Sequence, residues 1–60
     1  KGKHTMQYKY KDKMYIVINT NAKIQENDIW VDAIIYTNES GISFIRTKEE
    51  FFRKFTKVEN

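Results

Sequence analysis

Residues 29–36 read Ile-Trp-Val-Asp-Ala-Ile-Ile-Tyr, seven apolar side chains interrupted only by Asp32. β-branched and aromatic types dominate, and the segment sits between two turn signals, Asn27-Asp28 and the Asn38-Glu39-Ser40-Gly41 cluster. Such a run reads as a β-strand. Alternation puts Ile29, Val31, Ala33 and Ile35 on one face and Trp30, Asp32, Ile34 and Tyr36 on the other. Both faces are largely apolar, so the strand asks for cover on two sides. Only 60 residues are available to provide it, with no cysteine and a single histidine, His4. A domain this small buries only about 60% of its unfolded surface, and the usual staples for such domains, disulfides and metals, lack their ligands here. Local structure, aromatic packing and self-association are what remain. At 40% apolar and 15% aromatic residues, the chain is too hydrophobic for a disordered tail.

The rest of the chain is read around that strand. Residues 1–6 show no periodicity and are expected to form a tail before a single domain over residues 7–60. Residues 7–11 alternate, with Tyr8 and Tyr10 opposite Lys9 and Lys11. Asp12-Lys13 reads as a tight turn, and residues 14–19 as a central strand with Met14, Ile16 and Ile18 on one face. Residues 19–23 form a turn cluster, and residues 24–28 stay polar and read as its continuation, a long loop. Residues 42–46 return as a fourth strand after Gly41, which can supply positive φ. The period then changes. Thr47-Lys48-Glu49-Glu50 fits a capping box, and Phe51, Phe55 and Val58 recur at helical spacing. A helix of about ten residues is expected across the sheet. The expected fold class is therefore mainly β (α+β): a small bent antiparallel sheet, or an SH3-like partial barrel, of about four strands with one short C-terminal helix. The expected core is Ile16, Ile18, Val31, Ala33, Ile35, Phe44, Phe51 and Phe55.

Chemistry is constrained mostly by what is missing. One histidine and no cysteine exclude a single-chain metal site of the usual N/S type. His4 with Ser40 or Ser43 and a carboxylate has the ingredients of a nucleophilic triad but no motif that assembles them. Asp32 with Glu49 or Glu50 reads as surface charge and a helix cap. Gly2 and Gly41 are isolated, so no phosphate loop is present. No catalytic residue, metal site or cofactor is expected, and the chain reads as a non-enzyme. No apolar run approaches the roughly 18 residues that span a bilayer, and no apolar segment follows the N-terminal lysines. A cytoplasmic location without membrane association is the expectation.

Two binding readings stand. Residues 1–23 carry a net charge of +5 and residues 24–60 a net −2. Lys9, Lys11 and Lys13 interleave with Tyr8 and Tyr10, a composition that single-strand nucleic-acid binders use for stacking beside a basic groove. The same tyrosines suit a core, and the lysines suit a solvated strand edge. The other reading starts from the uncovered side of residues 29–36. One helix covers one face, which would leave Trp30, Ile34 and Tyr36 as an exposed patch of the types enriched in protein interfaces. That patch would take a protein partner or a second copy of the chain, unless the sheet closes into a barrel and absorbs it.

Several stretches also resemble a family. They are His4 with Tyr8-Lys9-Tyr10-Lys11-Asp12-Lys13, Tyr15 and Val17; Trp30-Val31-Asp32-Ala33-Ile34-Ile35-Tyr36; Gly41-Ile42-Ser43-Phe44-Ile45-Arg46; and Glu50-Phe51-Phe52. Over nearly the whole chain this is similar to the small bacterial and phage proteins called domain-of-unknown-function family 1653. Lys11-Asp12 stands where that family has a Lys-Gly turn, Thr47 where it has Pro, and Phe44 where it has Trp. The resemblance implies a compact SH3-like β-domain with a short C-terminal helix and no assigned activity. Small phage proteins often act as inhibitors or adaptors, so a non-catalytic, phage- or mobile-element-borne binding module is the expectation.

Overall fold

The computed structural model describes residues 6–58. Most of the expected tail, including His4, lies outside them. Five strands and one helix follow in the order β1 (Gln7–Tyr10), β2 (Lys13–Glu26), β3 (Ile29–Thr37), β4 (Ser43–Thr47), α1 (Lys48–Lys54) and β5 (Thr56–Lys57). The strands form one open antiparallel sheet in the order β4-β3-β2-β1-β5. The class is the expected mainly-β sheet with a short C-terminal helix, with a fifth strand added at the far edge.

Two tight turns set the register. Lys11 and Asp12 have φ of 52° and 63°, and Asn27 and Asp28 have 52° and 65°. Two successive left-handed residues make the mirror-image turn that matches strand twist in a two-residue hairpin. The first turn is therefore Lys11-Asp12 and not Asp12-Lys13, with Tyr10 opposite Lys13. The second overturns the long loop expected over residues 24–28. Closing on Asn27-Asp28, it pairs Glu26 with Ile29, Gln25 with Trp30 and Lys23 with Asp32. β2 thus runs as one strand for 14 residues, its polar middle interrupting the pairing with β3 at two register shifts, between Val17 and Asn19 and between Asn19 and Ala22. Such bulges bend and twist a strand. The distal halves of β2 and β3 become a two-stranded arm, and the molecule measures 39 Å along its longest axis.

The β3–β4 connection is held by one residue. Asn38 Oδ1 accepts from the N–H groups of Ser40 at 2.9 Å and Ile42 at 3.0 Å, and Gly41 adopts φ 88°. The chain then enters α1. Thr47 is extended and its Oγ1 accepts from the Glu50 N–H at 3.2 Å, the N-cap the sequence implies. The capping-box pattern would send the Glu50 carboxylate back to the Thr47 N–H, yet it goes to Arg46 Nη1 at 3.2 Å. The helix is seven residues long, shorter than expected, and ends at the extended Phe55. Val58 lies beyond it, and its N–H donates to the Gln7 carbonyl.

α1 leaves the β4 edge and presses its phenylalanines onto one sheet face, as far as Tyr8 and Tyr10 of β1. Phe51 and Phe55 stack on each other at 4.3 Å between ring centroids. Phe51 meets Tyr8 at 4.9 Å and Tyr36 at 5.2 Å. Phe55 meets Tyr10 at 4.8 Å, Tyr36 at 5.1 Å and Tyr15 at 5.4 Å. The core is Tyr8, Val17, Ile34, Tyr36, Phe51 and Phe55. Of the expected core, Ala33, Phe51 and Phe55 are buried, Val31 and Ile35 are half-buried, and Ile16, Ile18 and Phe44 are exposed. The expectation chose the wrong face of the sheet. The helix covers the tyrosine face, where edge-to-face and tilted ring pairs add to area burial. Phe44 lies opposite Tyr36 and belongs to that face as well.

Candidate interaction surface

Covering the tyrosine face leaves the other face bare. Ile45 and Ile35 lie directly opposite each other on β4 and β3. Ile16, opposite Thr37, continues the row onto β2, followed by Met14 opposite Lys9. Directly opposite side chains in such a pair are about 5 Å apart, and diagonal ones remain within reach. These four residues form one apolar band across three strands, with Ile18 exposed at the bulge beside it. Ile45 and Ile16 keep 43% and 40% of their area accessible. Further along the same face Ala33, between Ala22 and Thr47 on its two neighbours, is fully shielded. Strand alternation and one overlying helix explain the band: four apolar strands make two apolar faces, and seven helical residues cover only one.

Trp30, Ile34 and Tyr36, expected as an exposed patch, are separated. Ile34 and Tyr36 are buried under α1, at 0% and 4% exposure, so they are unavailable as a surface. Trp30 lies on the same side of β3 but past the reach of the helix, out on the arm, and is 62% exposed. Ile29 beside the turn is equally open. The expectation that one face would stay uncovered holds, but the residues named for it are on the covered one.

The lysine and tyrosine hairpin is also taken apart. Tyr8 is buried, and Tyr10 is half-buried against Phe55. Neither ring offers a free face for a stacked base. Lys9 points away from them by alternation, while Lys11 and Lys13 are exposed at the turn. What remains is a small cluster of charges on a strand edge, without the aromatic platform.

Arg46 latches the covered face. Its Nε donates to the Tyr36 hydroxyl oxygen at 2.8 Å, and its guanidinium lies 5.7 Å from the Tyr10 ring and 5.6 Å from the Phe55 ring. Burial works against its charge, but the Tyr36 hydroxyl and the Glu50 carboxylate outweigh that and raise its pKa. On the arm, Lys23 Nζ contacts Asp32 Oδ1 at 2.5 Å. The hydrogen bond from Lys23, then its charge, hold the Asp32 carboxyl below its usual range.

Among the described residues no three His, Asp or Glu side chains gather in a way that could hold a metal ion. No helix among them is long and apolar enough to cross a membrane. No family model, curated protein or solved structure matches the chain, so the likeness to family 1653 rests on its quoted motifs alone.

Proposed function

We propose that this chain is a non-catalytic protein-interaction module, of the adaptor or inhibitor kind, that binds through the uncovered isoleucine face. One observation carries the reading: an apolar band of Met14, Ile16, Ile35 and Ile45 across three paired strands, with no element of the described chain laid over it. Contiguous apolar surface on a small protein marks an interface. The module works by burying this band against a partner, with the exposed lysines at one end steering an acidic surface toward it.

The test compares the wild-type chain with Ile45→Lys and Ile16→Lys in affinity capture at low and high salt. Both positions are exposed, so the fold tolerates the change. The reading expects a protein partner retained at high salt and lost with either substitution. Loss of binding with salt alone, unchanged by Ile45→Lys but abolished by Lys9, Lys11 and Lys13 to Ala, points to phosphate contacts and the nucleic-acid reading instead. Sedimentation at micromolar concentration tells whether the partner is a second copy.

A further inference from the structure

The arm holds a second surface, on which the isoleucine band does not bear. β4 pairs with β3 from Thr37 to Ala33 and stops there, because the chain turns at Thr47 into α1. Residues 29–32 of β3 are paired with β2 on one side, while on the other side β4 does not reach them. In an antiparallel strand alternate residues aim both N–H and C=O at the same neighbour, so this stretch presents unpaired backbone donors and acceptors outward. The edge opens into a cleft of about 760 Å³ between the arm and α1. Val31 and the exposed ring of Phe52 form its apolar part. Its charged part is Glu26, Asp32, Glu49 and Glu50 with Lys48 and Arg53; Asp32 is held by Lys23 and Glu50 by Arg46, which leaves Glu26 and Glu49 as the carboxylates open to an incoming cation.

We propose that this edge takes up an extended, basic peptide segment of a partner protein by strand addition, in line with β4. Four residues of β3 span about 13 Å, room for a short strand. Backbone pairing supplies affinity and side-chain placement supplies selection in this mode of recognition. The incoming strand sets an aliphatic side chain against Val31 and Phe52 and a Lys or Arg toward Glu26 and Glu49. The Glu26 and Glu49 carboxylates repel a strand that carries carboxylates at those positions. Sheet edges invite pairing unless blunted by charge, proline or a covering element; residues 29–32 contain no lysine or proline, and their one charge, Asp32, is paired with Lys23.

The test is an amide-resolved NMR titration of the full chain with a capped Lys-Val-Lys-Val-Thr-Val hexapeptide. The expected result is shifts at residues 29–32 and along the cleft side of α1. Affinity should fall at least tenfold for the Glu-Val-Glu-Val-Thr-Val peptide, and at least tenfold again when alternate amides of the basic peptide are N-methylated. The double variant Glu26→Lys with Glu49→Lys, both exposed, should invert the preference. Equal binding of the N-methylated peptide overturns strand addition. So does the absence of shifts at millimolar peptide, or shifts confined to Ile16, Ile35 and Ile45. Shifts at residues 29–32 that depend on protein concentration without peptide also overturn it, since the edge would then serve a second copy. The Ile45→Lys substitution leaves this titration unchanged, so its outcome is independent of the isoleucine-face reading.

Discussion

Replacing Phe51 by Ala removes a ring that bridges β1 and β3 beneath the helix. Its side chain is fully buried and packs on Tyr8, Tyr36, Phe52 and Phe55. Neighbours that are themselves rings wedged between helix and sheet cannot collapse into the space, which places the cost in the usual Phe→Ala range of about 3–5 kcal/mol. A 60-residue domain has about 3–9 kcal/mol of stability in total. The variant is therefore expected to lose at least about a third of the wild-type urea midpoint, and to be largely unfolded where the parent lies at the low end of that range. The adjacent Phe52 is 52% exposed, and Phe52→Ala should cost under about 1 kcal/mol. The pair is measured by urea unfolding followed by far-UV circular dichroism. Tryptophan emission is a poor probe because Trp30 is already in water. A loss under about 1 kcal/mol for Phe51→Ala, or equal losses for the two variants, would refute the packing described for α1.

Thr47→Ala removes the hydroxyl that caps α1 and should cost about 1 kcal/mol in the same assay. Asp12→Gly relieves a non-glycine residue at φ 63° in the second position of a mirror-image turn, and is expected to raise stability by up to about 1 kcal/mol; a loss would mean that the turn is of another type. The Asp32 carboxyl should titrate below its usual value in an NMR pH series, and Lys23→Ala should bring it back up. A lowered folded-state pKa stabilises above the unfolded pKa and is lost as pH falls through the folded one, so any contribution of this exposed pair disappears only in strong acid.

The strands that alternate, the Thr47 cap and the two phenylalanines of the lid could be read from residue spacing because each is a local signal. The identity of the covered face could not. Alternation sorts Ile16 from Tyr15 and Ile35 from Tyr36, but both sets are apolar, and period alone does not say which one a helix meets. Ring size decided it: Phe51 and Phe55 find ring partners only on the tyrosine face. The second half of β2 was hidden for a different reason. Asn19, Thr20 and Asn21 look like a loop because their side chains compete for backbone groups, as Asn19 Oδ1 does with the Asn21 N–H at 2.7 Å. Pairing to β3 overrides them, and the Asn27-Asp28 turn was the signal that could have shown it. The isoleucine band followed the same error, since residues assigned to a core are not sought on a surface. The open edge at residues 29–32 depends on where β4 stops, and only the three-dimensional path of Thr47 shows that.

β5 lies next to β1, with Tyr8 opposite Lys57. The last strand of the described residues completes the first. Until Phe51 and Phe55 emerge, a nascent β1–β4 meander carries bare apolar residues on both of its faces, tyrosines on one and isoleucines on the other. Contacts that join the two ends of a chain form late, since the intervening loop must close before they are gained. A nascent chain that has exposed β1–β4 but not yet α1 is therefore at its stickiest, and removal of residues 51–57 should turn a foldable domain into one that aggregates.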